Sequence, residues 1–409
     1  MNNKRRVAVT GGGLVSALGS AWPAVLANLK ARKNFVRYMT EWDAYKQMNT
    51  RLAAPVDCAL PEYPRKKIRG MGRVALLALT ATEQALSLAG LQDSDELTRG
   101  RFGVSFGSSI GAIDPLMDFL EMLAYHDMKK LSATTYLKIM PQTCAANIEV
   151  FYGLTGRLVT TNTACTSGSQ AIGFAYELIR DGVQDVMIAG GSDELSVIDS
   201  AIFDTLFATS TKNDAPHSTP SAYDKHRDGL VVGEGAAALI LEDYDHALKR
   251  GAVIYAELAG FGTNTDGKHL TTPNQETMAE VMRLALRDAR LEPREIGYVN
   301  THGTATAAGD AAESGATYDV FQRAIPASTI KNYIGHTLGA CGAIEAWITI
   351  NMMREKWFAP NINLNEIDPA CAPLDYITGE GREIDTEYVM SNNFAFGGIN
   401  TSLIFRKAA

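Results

Sequence analysis

A layered α/β fold, with sheets covered by helices, is the class this sequence predicts, and three observations predict it. Short β-rich runs alternate with longer segments of helical periodicity along the whole chain. The 409 residues are 46% hydrophobic and 21% charged, which is enough apolar material for a large core and too much for a disordered chain. No segment reaches the ~18 consecutive apolar residues of a membrane span, so no membrane insertion is expected.

The strand candidates are VAVTG at 7–11, FGVSFG at 102–107, VMIAGG at 186–191, AALILEDY at 237–244, IYAELAGFGTN at 254–264, YVNTHG at 298–303 and YVMSNNFAFG at 388–397. Between them, 74–91 and 275–291 carry apolar residues at helical spacing and end near a Gly or Pro. The first 21 residues have the basic start and apolar run of a signal peptide. Thr10 and Gly11 to Gly13 interrupt that run, so 5–13 reads as a buried first strand entering a turn. A boundary near 249–251 divides the chain into residues 1–251 and 252–409. No low-complexity linker marks it, which predicts two halves sharing one core.

A net charge of -8 argues against a nucleic-acid partner. Five cysteines, with no CxxC pair and no His/Cys ligand spacing, argue against a disulfide framework or a zinc site. A cytoplasmic enzyme without a metal or other cofactor is the simplest expectation. Three glycine stretches suggest other chemistries. GGGLVS at 11–16 follows a strand as a dinucleotide-binding loop does, but Ser16 stands where the third glycine belongs. GSSIG at 107–111 satisfies G-x-S-x-G and predicts, as the rival enzyme, a hydrolase pairing Ser109 with Asp310 and His336. GGSDE at 190–194 reads as a tight turn after a strand.

The informative segment is TNTACTSGSQAIGFAYELIRDG at 161–182, where Cys165 sits between a Thr-rich strand and an amphipathic helix starting near Ser167. A cysteine at a helix N-terminus feels exposed amide donors and the positive end of the dipole, which favour thiolate. Its small neighbours Ala164, Thr166, Ser167 and Gly168 predict room for a substrate and amides aimed at an oxyanion. Two histidines on glycine-flanked, post-strand segments complete a candidate site: His302 in NTHGTAT at 300–306, and His336 five residues after Lys331. Each alone would pass as a satisfied polar residue. SNNFAFGGIN at 391–400 reads as a final core strand with a turn.

Taken together, the cysteine segment, the run 221–251, THGTAT followed by GDAAE, Lys331 with Gly335-His336 and Gly339-Ala340, and NNFAFGGIN resemble the elongating β-ketoacyl-acyl-carrier-protein synthases of the thiolase-like condensing-enzyme superfamily. The resemblance spans nearly the whole chain. It implies five layers, α-β-α-β-α, built from two similar halves, although no internal repeat is legible in the sequence. It implies a decarboxylative Claisen condensation of an acyl group with malonyl-acyl carrier protein, in fatty acid or polyketide/aryl-polyene-type synthesis. Cys165 would carry the acyl group, and His302 and His336 would stabilise the enolate. Backbone N–H groups of Cys165 and Phe396 would form the oxyanion hole, with Phe396 also a gate. Lys331 would orient the histidine region, its other role being an ion pair with Glu345 or Glu313. Ile110 would line the acyl pocket, and Thr304 and Thr306 would contact the pantetheine arm.

The implied partner is an acidic acyl carrier protein, and the implied assembly a homodimer, or a heterodimer with a related subunit. Arg65, Lys66 and Arg69, with Arg73, would be the basic dock, an alternative to a plain solvated face. The sequence departs from the resemblance at Ala307, where the family has proline, at Gly12 in the N-terminal turn, and at Gly70, where a second docking cation is common. A catalytically silent subunit would lack the cysteine, and a degradative thiolase would carry a second one in a motif that neither Cys341 nor Cys371 occupies.

Overall fold

The computed structural model describes residues 4–408. The first half contributes strands β1 (Val7–Ser16), β2 (Phe102–Gly107), β3 (Leu158–Thr161), β4 (Val186–Asp193) and β5 (Gly235–Asp243), with helices α1 (Arg73–Ala89), α2 (Thr143–Tyr152) and α3 (Ser167–Arg180). The second contributes β6 (Ala256–Thr265), β7 (Ile296–Asn300), β8 (Pro326–Ser328), β9 (Tyr388–Ala395) and β10 (Ile399–Lys407), with α4 (Gln275–Ala289), α5 (Ala307–Phe321) and α6 (Cys341–Glu355).

The strands form one eleven-stranded sheet whose first-half part runs β3-β2-β4-β5-β1 and whose second-half part runs β8-β7-β9-β10-β6, with Asp375–Tyr376 added beside β8. The pairings match one for one. β2 is parallel to β3 and β4, and β7 to β8 and β9, while β5 and β10 are each antiparallel to both neighbours. The implied duplication is therefore present in topology, although no internal repeat is legible in the sequence. The halves join where Val7, Ala8 and Val9 pair with Leu258, Glu257 and Ala256.

Burial alternates along the strands as a two-sided sheet requires. Ala236, Ala238 and Ile240 of β5 face α1 and α2, whereas Ala237, Leu239 and Leu241 face the central core. Leu403 and Phe405 of β10 face the same centre, and Ile404 faces α4 and α5. Helices α3 and α6 fill the middle, giving the order α-β-α-β-α. The first turns of those two central helices approach each other, and this positions the site.

Two expected turns are strand instead. β1 continues through Gly11 to Gly13, and β4 through Gly190 and Gly191. These glycines serve close approach: a Cβ at Gly13 would lie 1.9 Å from the Ala81 carbonyl of α1, one at Gly12 2.4 Å from the Trp347 ring of α6, and one at Gly190 2.1 Å from the Ala237 carbonyl. The C-terminal segment also differs. Phe396, Gly397 and Gly398 form a hairpin turn, and a further strand, β10, follows it. Among the described residues no helix is long and apolar enough to cross a membrane.

Candidate active site

Cys165 lies in the turn between β3 and α3. Ala164 takes a left-handed conformation (φ 48°), and Ser167 closes the turn by accepting the Thr163 N–H at 2.9 Å and donating to the Ala164 carbonyl at 2.7 Å. The thiol thus sits at the start of a 14-residue helix, as the sequence predicts. The expected thiolate bias does not follow. Burial pushes the Cys165 thiol up to about 12, against the opposing pull of Lys331 and of the amides of Cys165 and Phe396. Both amides lie close enough to the sulfur to oppose the effect of burial. The small neighbours serve packing more than substrate room. Gly168 would place a Cβ 2.8 Å from the Gly339 carbonyl, and Thr166, Ser167 and Gly168 do not line the cavity described below.

His302 follows β7. Its N–H and that of Gly303 donate to the Glu313 carboxylate of α5 at 2.6 and 2.7 Å. His336 is held by backbone bonds on both sides, its N–H to Val231 at 2.7 Å and its carbonyl to the Gly233 N–H at 2.9 Å. The two rings stand perpendicular with centroids 5.1 Å apart. Each has a nitrogen within 4.8 Å of the other and of the Cys165 sulfur. Burial, with Lys331 nearby, holds both imidazoles well below the usual histidine range, so both are neutral. Nδ1 of His336 accepts the Leu338 N–H at 3.2 Å, which puts the proton on Nε2. That Nε2 is buried and has no protein partner. The Cys-His-His set has the composition of a zinc site, but a tautomer whose outward nitrogen carries hydrogen presents a donor and not a ligand lone pair.

Behind the histidines, Lys331 and Glu345 form an ion pair, each about 2% exposed at the side chain. Burial alone would depress Lys331, but the charge and hydrogen bond of Glu345 raise it, so the ammonium is retained. Of the two partners the sequence offers for Lys331, Glu345 is the one bonded. Asn393 of β9 donates to the other Glu345 oxygen at 2.7 Å and approaches His302 Nδ1 at 3.4 Å. Sequence reasoning missed Asn393. Only its neighbourhood in NNFAFGGIN singled it out.

A cavity of about 260 Å³ opens onto this centre. Cys165, His302 and His336 meet there with Thr304, Thr306 and Phe396, and Phe203, Leu230 and Phe394 add apolar surface. Phe396 packs on Phe203 with ring centroids 5.4 Å apart. Ile110 is not among the lining residues and stands outside this cavity, in the segment whose Ser108 and Ser109 are bound to Asp193. The hydrolase alternative fails on geometry. Ser109 Oγ donates to Asp193 at 2.5 Å, whereas Asp310 accepts the amides of Tyr223 and Ala305 at 2.8 and 3.1 Å.

Arg65 and Lys66 fall in the short helix Arg65–Ile68, which Arg69 follows; all three are exposed and lie beside Lys138 in a shallow depression. Arg73 does not belong with them, because its guanidinium is committed to Glu234 at 2.5 and 2.8 Å.

The family description "Beta-ketoacyl synthase, N-terminal domain" matches residues 4–247, and "Beta-ketoacyl synthase, C-terminal domain" matches 255–365. The chain belongs to the beta-ketoacyl synthase family. A relative in Vibrio harveyi, 3-oxoacyl-[acyl-carrier-protein] synthase 2, is 37% identical over all of both chains. The crystal structure of a beta-ketoacyl synthase from Burkholderia phymatum STM815 is 56% identical, covers 99% of this chain and 100% of its own, and superposes with a TM-score of 0.98. A type II polyketide ketosynthase solved with its acyl-carrier protein and bound to the hexaketide is 29% identical, covers 99% and 100%, and gives a TM-score of 0.88. The thiolase-like fold of the ketosynthases is thus the fold of this chain.

Proposed function

We propose that this beta-ketoacyl synthase joins an acyl group to malonyl-acyl carrier protein by decarboxylative Claisen condensation, giving 3-oxoacyl-acyl carrier protein. The observation that carries the reading is one buried sulfur with two neutral imidazoles, all with reacting atoms within 4.8 Å, at an apolar cavity. In the first half-reaction the Cys165 sulfur attacks the acyl-carrier thioester, the carrier C–S bond breaks, and the proton leaves with the carrier thiol. The amides of Cys165 and Phe396 meet the negative oxygen of the tetrahedral intermediate. In the second, the bond from the malonyl carbon to its carboxylate breaks. Carbon dioxide departs and the electron pair enters an enolate, whose oxygen accepts hydrogen bonds from His302 and His336. The enolate carbon then attacks the acyl carbon, the bond between that carbon and the Cys165 sulfur breaks, and the departing thiolate takes a proton from solvent water. Phe396 is the gate of this scheme, Thr304 and Thr306 take the pantetheine arm, and Lys331 orients the histidines. Residues 1–251 form the half with the nucleophile and 252–409 the half with the histidines.

Incubating the protein with acyl- and malonyl-carrier protein tests this directly. The expected result is 3-oxoacyl-carrier protein with one carbon dioxide per product, and unconsumed malonyl-carrier protein rejects it. The cysteines are free thiols, including the exposed Cys58, which fits a reducing cytoplasm. The assembly is a dimer of this chain or a pair with a related subunit.

The carrier docks on Arg65, Lys66 and Arg69, whose side chains are exposed and enter no ion pair among the described residues. The double variant Arg65→Glu/Lys66→Glu is expected to raise the apparent KM for carrier-bound substrate about tenfold, most strongly at low salt, while kcat is retained. An unaltered KM at low salt rejects the dock.

A further inference from the structure

The two halves repeat one pairing across their central strands. Gly107 of β2 lies opposite Gly191 of β4, and two residues beyond each, Ser109 meets Asp193. Asn300 of β7 lies opposite Ser391 of β9, and two residues beyond each, His302 meets Asn393. The fold thus offers the same position twice, and the chain fills it with opposite chemistry. In the first half it holds an acceptor: the Asp193 carboxylate takes the Ser109 hydroxyl at 2.5 Å and the Gly339 N–H at 2.6 Å. In the second half it holds a donor.

Asn393 is fully buried, and its orientation is settled by Glu345. A carboxylate oxygen 2.7 Å away admits only the amide nitrogen, so Nδ2 also faces His302 Nδ1 at 3.4 Å. The amide oxygen points elsewhere, over Gly342, where an added Cβ would lie 2.6 Å from it.

We propose that Asn393 is a positioning residue that holds His302 in its Nε2–H tautomer, so that His302 offers the substrate a hydrogen-bond donor. A Glu345 oxygen and a His302 nitrogen lie within 4.8 Å of each other. Without the amide beside them, the carboxylate is the strongest acceptor available for an Nδ1–H, and the imidazole would then turn a lone pair toward the malonyl carbonyl. An aspartate at 393, the choice made by the other half, would have the same effect more strongly. The 3.4 Å contact is long for a hydrogen bond, and a bound carbonyl at Nε2 is expected to tighten it. The consequence for catalysis rests on the condensation reading; the tautomer does not, being a property of the free protein.

The experiment uses the full chain with Asn393→Leu, which keeps the bulk and removes the donor, and Asn393→Asp. Histidine side-chain nitrogens are labelled with ¹⁵N, and His302 is assigned by loss of its signals in His302→Gln. The wild type is expected to show Nε2–H at His302 and both variants Nδ1–H. Acylation of Cys165 from an acyl-carrier thioester, followed by intact mass, is expected to stay within about twofold of wild type. Carbon dioxide release from malonyl-carrier protein is expected to fall about 10- to 100-fold. Retention of Nε2–H in folded Asn393→Leu overturns the inference, whatever the aspartate variant does. Equal losses in both half-reactions also overturn it, because they mark a merely structural role. A wild-type protein that shows the Nε2–H signal but releases no carbon dioxide would refute the condensation reading and leave the tautomer assignment standing.

Discussion

Replacing Cys165 with alanine is expected to lower condensation at least about 10⁴-fold, the order lost when the nucleophile of a concerted catalytic group is removed. Liquid chromatography with mass detection of 3-oxoacyl-carrier protein measures it. Decarboxylation of malonyl-carrier protein should survive in the same variant, because His302 and His336 are anchored through Glu313, Val231 and Leu338 and not through the thiol. Ser109→Ala serves as the comparison. Its hydroxyl is spent on Asp193, so condensation should fall no more than about tenfold, the value of one hydrogen bond. Product formation by Cys165→Ala would eliminate the mechanism. The buried thiol adds a pH signature. With its titration pushed up to about 12, alkylation by iodoacetamide should climb about tenfold per pH unit from 7 to 10 with no plateau, since thiolate is the reacting form. A plateau near pH 8 would mean that the helix terminus, and not burial, governs the sulfur.

The second large effect is on stability. Lys331→Met removes the cation from a pair with almost no solvent contact and strands the Glu345 carboxylate beside Asn393. The expected cost is about 3–5 kcal/mol, read from denaturant unfolding. The sign with pH follows from Glu345. Stranded in a buried site, its folded pKa lies above the unfolded value of about 4.3, so the variant's deficit is smallest near pH 4 and grows as pH rises through the folded pKa. Adding Glu345→Gln should recover most of the loss. A single variant as stable as wild type at pH 8 would show that the pair is open to water.

Much of the site was legible before any fold was known. Cys165 at a strand-to-helix junction and the two glycine-flanked histidines could be picked out because local sequence creates those settings: a Thr-rich strand, small residues, then an amphipathic helix. The five layers were legible only through resemblance. Other local patterns do not match the structure, for a consistent reason. Gly11 to Gly13 and Gly190 to Gly191 carry the composition of turns, yet they lie in strands because a helix or neighbouring strand crosses too close for a Cβ. Ser109 carries a hydrolase pattern, yet its hydroxyl is captured by Asp193, 84 residues away. Arg73 belongs by spacing to a basic run, but Glu234 had claimed it.

The sequence by itself determined the chemical inventory: a thiol at a helix start, two imidazoles, a lysine and a run of exposed cations. Tertiary structure decided their protonation and which groups meet. Burial made the thiol a weak acid and the imidazoles neutral, and it paired Lys331 with Glu345 instead of Glu313. It also set Asn393 beneath His302 as a donor where the duplicate position holds Asp193 as an acceptor. Solvation and long-range pairing depend on what surrounds a residue in space, and neighbours in the chain carry almost none of that information.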